Sequence, residues 1–186
     1  MPNSNRDQTV YIVTGNPDTM NVSPADWTSL GARPGELGKA FDKNDRAYQL
    51  VQLDSGATAA TPVGVVAANQ IAYWKDRVNY LVTNNRDAAE GGSATGAYRN
   101  NVAGLFRNAA TAGYYISVLQ RSDNVPVLDG GNTYATGEPV IAGANATASA
   151  DRLAVGGNIT FKIIGTARGA AAAGVVSIDL DIPNIP

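Results

Sequence analysis

A chain of 186 residues, 44% hydrophobic and 16% charged, has room for one apolar core and carries less charge than the roughly 25% of ordinary soluble domains. Its 14 Lys and Arg against 16 Asp and Glu leave no basic excess to neutralise phosphates, so no nucleic-acid partner is expected. The absence of Cys and His excludes disulfides, thiolate metal sites and any Ser-His-Asp or Cys-His catalytic arrangement within the chain.

The first 35 residues are rich in Pro, Asn, Asp and Gly and read as an extended N-terminal arm, with one apolar run at Val10 to Val13. Within it Ser23 is placed to cap, Pro24 sits at a first helical position and Gly31 follows Leu30, which predicts one short helix over 24–30. From residue 36 to 186 the text becomes short apolar runs punctuated by Gly, Asn and Asp, the pattern of a β-rich domain. Strands are predicted at Ala47 to Leu53 and Pro62 to Ala67, and along Val78, Tyr80 and Val82, which share one face by alternation. Tyr98, Val102, Leu105 and Phe106 fit helical spacing, but Gly104 and the preceding Gly-rich loop favour a strand. Further strands are expected at Tyr114 to Leu119, Val125 to Leu128 and Pro139 to Ala142. A tight hairpin is expected around Gly156, Gly157 and Asn158.

The cleanest pattern is C-terminal, where Val176, Ile178, Leu180 and Ile182 alternate with Ser177, Asp179 and Asp181, one face for the core and one for water. The Ala/Gly tracts Ala142 to Ala150 and Ala167 to Gly174 carry too little side chain to anchor themselves, and read as flexible loops or close-approach surfaces. The expected fold is all-β, an antiparallel β-barrel or sandwich of short strands with the arm and its helix appended. No apolar run reaches about 18 residues and the N-terminus is polar, so the expectation is a soluble chain without an export signal and without a membrane partner.

Few groupings could carry chemistry. Asp179 and Asp181, two apart on one strand face, have a geometry open to a hard cation, against the plainer reading of a solvated face. Trp74, Lys75 and Arg77, with Tyr73 and Tyr80 close in sequence, set cations beside aromatics, as sugar and nucleic-acid binders do. The plainer alternative has their aliphatic stems covering apolar surface while their charges meet acids of a neighbouring chain. Residues 75–121 hold six bases and three acids and residues 122–186 the reverse, an asymmetry suited to steering subunits into register. No catalytic residue, metal or cofactor is expected.

The stretches Ala47-Tyr-Gln-Leu-Val-Gln-Leu, Thr61-Pro-Val-Gly-Val-Val-Ala-Ala-Asn, Val102-Ala-Gly-Leu-Phe-Arg and Thr111-Ala-Gly-Tyr-Tyr-Ile-Ser-Val-Leu-Gln-Arg resemble the capsid decoration, or cement, proteins of tailed bacteriophages. The likeness is one of strand grammar and covers about residues 35–142; the arm and the Gly/Ala-rich C-terminal third depart from it. It implies a β-rich, commonly trimeric protein on the outside of the mature head, made in the host cytoplasm, that clamps neighbouring major capsid subunits without catalysis. Candidate interface residues are Val10 and Tyr11 in the arm, Trp27 in its helix, and Trp74, Lys75 and Arg77. Two rivals remain: a host-surface or carbohydrate-binding module of a fibre or tail, with Trp74 exposed, and a carboxylate-based glycan hydrolase or lyase, with two acids converging in a cleft.

Overall fold

The structure, a computed structural model, describes residues 17–29, 39–41, 46–55, 65–92, 97–143, 149–153 and 161–182. A 3-10 turn at Pro17–Thr19 leads into β1 (Asn21–Val22) and the helix α1 (Pro24–Ser29). Then follow β2 (Lys39–Phe41), β3 (Ala47–Leu53), β4 (Val65–Val66), β5 (Ile71–Asp76) and β6 (Leu81–Thr83). A second 3-10 turn, Ala97–Asn100, precedes β7 (Val102–Phe106), β8 (Ala110–Thr111), β9 (Tyr115–Leu128) and β10 (Pro139–Ala142). The series ends with β11 (Ala150–Arg152), β12 (Ile163–Ala167) and β13 (Val175–Asp181). The fold is all-β, and among the described residues no helix is long and apolar enough to cross a membrane.

Strand pairing closes a ring. β3 pairs with β9, β9 with β7, β7 with β5, β5 with β6, and β6 returns to β3. The result is a five-stranded barrel, antiparallel except for the parallel β3–β6 pair, and ring closure leaves these strands without a free edge. Its interior is lined from all five: Val51 and Leu53, Ile116 and Val118, Ala103 and Phe106, Ala72, and Val82. Val66 and Ala110, from the small β4–β8 ladder, join the same cluster.

β9 continues past the barrel and pairs with β13, which leads through β12 and β10 to β11. This extension turns its apolar face toward the barrel's outer wall. Val125, Val127, Val140, Ile164, Val176, Ile178 and Leu180 pack with Ile71, Tyr73, Val102, Leu105 and Leu119 in a second cluster. The C-terminal alternation falls as the sequence predicts, with Val176, Ile178, Leu180 and Ile182 buried and Asp181 exposed. β7 can lie against β9 only because residue 104 has no side chain. A Cβ there would sit 2.8 Å from the Leu119 carbonyl oxygen and from the Val118 Cβ.

The described part of the expected arm, residues 17–29, is built into the body. Met20, Val22 and Trp27 form a third cluster with Leu50 and Tyr115, and Trp27 stacks on Tyr115 at 4.7 Å between ring centroids. Asp18 accepts from Arg46 at 2.7 Å and from the Tyr48 hydroxyl at 2.9 Å, with the Arg107 Nε 3.6 Å away. β1 pairs with the start of β9. The helix forms where predicted, as Ser23 Oγ accepts the Asp26 N–H at 3.1 Å and donates to the Asp26 carboxylate at 2.6 Å.

Other expectations move. The predicted strand through Val78 and Tyr80 is a turn, and β6 starts only at Leu81. The two strands expected at Tyr114 to Leu119 and Val125 to Leu128 are one, β9. Ala150, assigned to a loop tract, is fully buried in β11. The run Val10 to Val13 and the hairpin around Gly156 and Gly157 lie outside the described residues.

Two substitutions test this packing. Trp27→Ala should lower the stability of the whole domain by about 3–5 kcal/mol, read as a shifted midpoint of one cooperative denaturation curve. An unmoved midpoint would mean that the 17–29 segment is not part of the cooperative unit. Gly104→Ala should cost about 1–3 kcal/mol by forcing β7 away from β9, with the slope of the denaturation curve unchanged.

Candidate functional site

Of the six candidate residues, Val10 and Tyr11 lie outside the described residues, and Trp27 is 5% exposed and spent on internal packing. Trp74, Lys75 and Arg77 come together on the β5–β6 hairpin, all partly exposed. At its tip stands Val78, 87% exposed, the most solvent-accessible large apolar side chain among the described residues. Behind it Trp74 meets Tyr80 edge to face, with ring centroids 6.4 Å apart.

The turn is held from several sides. The Asp76 carboxylate accepts the Asn79 backbone N–H at 3.0 Å and its side-chain amide at 2.7 Å. These bonds, the side-chain one first, hold the Asp76 carboxyl below its ordinary value of 3.8. Tyr80 then takes a left-handed φ of 54°, and its carbonyl accepts the Gln52 N–H at 2.9 Å, which returns the chain to the barrel. Lys75 reaches Asp54 at 2.8 Å, tying β5 to the end of β3. Glu90 accepts both the Arg77 backbone N–H, at 2.8 Å, and its Nε, at 2.9 Å, while the Arg77 guanidinium also donates to Asn101 Oδ1. The Asn101 carbonyl accepts the Trp74 N–H at 2.8 Å.

Sequence alternation turned Val78 inward with Tyr80 and Val82; the Asp76–Asn79 closure reverses its direction. An Asp followed three residues later by Asn is itself a turn signal, and it was there to be read. Asp54, Glu90 and Asn101 carry no such signal, because their relation to the hairpin exists only in three dimensions.

A second feature is a groove of about 500 Å³ on the outer face of β12 and β13, lined by Arg121, Asp123, Ile163, Asp179 and Asp181 among others. Asp179 is engaged by Arg168 at 2.5 Å and by the Asn124 N–H at 3.1 Å. Those bonds, Arg168 first, lower its carboxyl below the ordinary value, opposite to the raised carboxyl that a glycosidase proton donor needs. Asp123 and Asp181 are exposed. Among the described residues no group of three or more acidic side chains has an arrangement that could hold a metal ion.

Comparison of the chain with family models, with curated proteins and with solved structures finds no match.

The turn carries its own pH test. Because the Asp76 carboxyl lies lower in the folded chain than when unfolded, the closure is complete above pH 3.8 and is lost as pH falls through the folded value. In an NMR titration the Asn79 amide should hold its position down to that range and then move, and Asp76→Ala should abolish the transition. A transition well above pH 3.8 would show that Asp76 does not close the turn.

Proposed function

We propose that this chain is a non-enzymatic structural protein of a phage virion, one that binds the outside of an assembled capsid and clamps neighbouring major capsid subunits. The observation that carries the reading is the β5–β6 hairpin. It holds Val78 almost fully in water beside Trp74, Tyr80 and Arg77, and the surrounding ion pairs fix the position of the group. Trp, Tyr and Arg are enriched among the residues that dominate protein–protein contacts, and Trp74, Tyr80 and Arg77 are gathered here around one exposed apolar side chain.

The stretches that carry the likeness to decoration proteins include β3, β7 and the first half of β9, so that likeness concerns the barrel scaffold while the hairpin supplies the contact. Binding to the assembled shell and not to free subunits stabilises the shell by mass action. Contacts of roughly 800 Å² per partner, repeated over many copies, make the gain large. Three copies on a shared axis, each placing a hairpin on a different subunit, would span a seam that one copy could not.

Particles assembled with and without the protein decide the matter. Those lacking it should form at normal size and lose their genome at lower temperature, and added protein should restore resistance in proportion to occupancy. Val78→Asp should weaken binding to particles at least tenfold, about 1.4 kcal/mol, while leaving the denaturation curve in place. The Trp74–Tyr80 pair beside Lys75 and Arg77 supports a second reading, a carbohydrate-binding module. Unchanged heat resistance together with lost adsorption to cells would reject the clamp and favour that module.

A further inference from the structure

Beside the hairpin, cations from separate segments are brought near one another: Arg77 in the turn donates to Asn101, two residues after Arg99 in the 3-10 turn before β7, and the Lys162 ammonium, just before β12, feels the Arg77 charge. Arg99 is held against aromatic rings. Its guanidinium lies 4.5 Å from the Phe161 ring centroid and 5.9 Å from that of Tyr98. Its Nε donates to the Tyr98 hydroxyl at 3.3 Å, and that hydroxyl donates onward to the Gly143 carbonyl at 3.1 Å. The two terminal nitrogens, the fork that grips a planar oxyanion, have no hydrogen-bond or ion-pair partner among the described residues.

Lys162 is fixed alongside, since its backbone N–H donates to Asn100 Oδ1 at 2.8 Å. Its side chain is half-buried, and burial first, then the Arg77 charge, lowers its ammonium from 10.5 to about 8. Glu90 is the acid tied into this group, and Arg77 engages both of its oxygens.

We propose that Arg99 is an oxyanion site that receives a carboxylate side chain from the protein on which the hairpin docks. The inference rests on the docking function proposed above and names the chemistry the partner must present beside the residue that covers Val78. A carboxylate fits better than a nucleic-acid phosphate for two reasons. The chain as a whole carries a net charge of −2, which repels a polyanion. The segment that carries Arg99 is also tied through Asn101 to Arg77, the chain neighbour of Val78, an apolar anchor that a protein surface can bury and a phosphate backbone cannot.

The test uses the intact chain and two probes, sodium acetate and inorganic phosphate, titrated at constant ionic strength against chloride. Acetate should give saturable NMR shifts at the Arg99 Nε–H and the Phe161 ring. Arg99→Gln should weaken that binding at least fivefold, and Arg99→Lys, which keeps the charge and loses the fork, at least threefold. Shifts that do not saturate, or that persist unchanged in both variants, would overturn the site. Phosphate binding tenfold tighter than acetate would overturn the carboxylate assignment and point to a phosphate-bearing partner. With particles, Arg99→Gln should weaken binding while Val78 is intact. If particles bind neither the wild type nor the variant yet acetate still saturates at Arg99, the docking function fails and the oxyanion site stands. If particles bind both equally, the reverse holds.

Discussion

Every apolar cluster among the described residues meets on one strand, β9, whose buried apolar side chains are divided among three environments. Tyr115 faces the N-terminal segment, Ile116 and Val118 enter the barrel, and Leu119, Val125 and Val127 pack between barrel and extension. Its backbone does the same for hydrogen bonding. β3 runs along it over residues 115–121, while β1, β7 and β13 pair with it in succession. Fixing β9 therefore fixes where the barrel closes, where the extension begins and where the segment 17–29 lands. The change of role along the strand is local, marked by a left-handed φ of 52° at Asn124 and a register shift opposite, between Ile178 and Leu180.

How legible an element was depends on how many of its faces are buried. β13 has one wet face, so strict alternation of Val, Ile and Leu with Ser and Asp announces it. β5 has none over its first half: Ile71 and Tyr73 pack outward against the extension while Ala72 enters the barrel, and the alternation that would reveal a strand is erased. The segment 17–29 misleads in another way. Its Pro, Asn and Asp content reads as solvated chain, yet Met20, Val22 and Trp27 are spaced to lie on Leu50 and Tyr115. Composition averages over positions, and burial is decided position by position. The parallel β3–β6 pair was likewise beyond reach, because it follows from ring closure and not from any local pattern.

For the site, the sequence located the side chains but not their posture. The concentration of Trp74, Lys75 and Arg77 was visible, and so was the basic bias of residues 75–121. What could not be seen is that Lys75 and Arg77 are committed to Asp54 and Glu90, so that their charges hold the hairpin in place before any partner arrives. Nor could it be seen that Lys162, from the acid-rich final third, comes within reach of the Arg77 charge.

Arg77 links the two surface features, and its environment explains why they should act together. Its backbone N–H and Nε hold Glu90, its terminal nitrogen donates to Asn101, and Asn101 in turn donates to the Glu90 carbonyl and accepts from Trp74. The same small network thus ties the turn that carries Val78 to the segment that carries Arg99. A rigid pair of contacts, one apolar and one charged, loses little conformational freedom on binding and tolerates little misplacement in a partner. In the proposed docking the apolar anchor would contribute affinity that depends weakly on salt. The Arg99 fork would add orientation, because a carboxylate satisfies it only in its own plane. Specificity would then come from the relation between the two contacts, which hydrogen bonds within the fold hold in place.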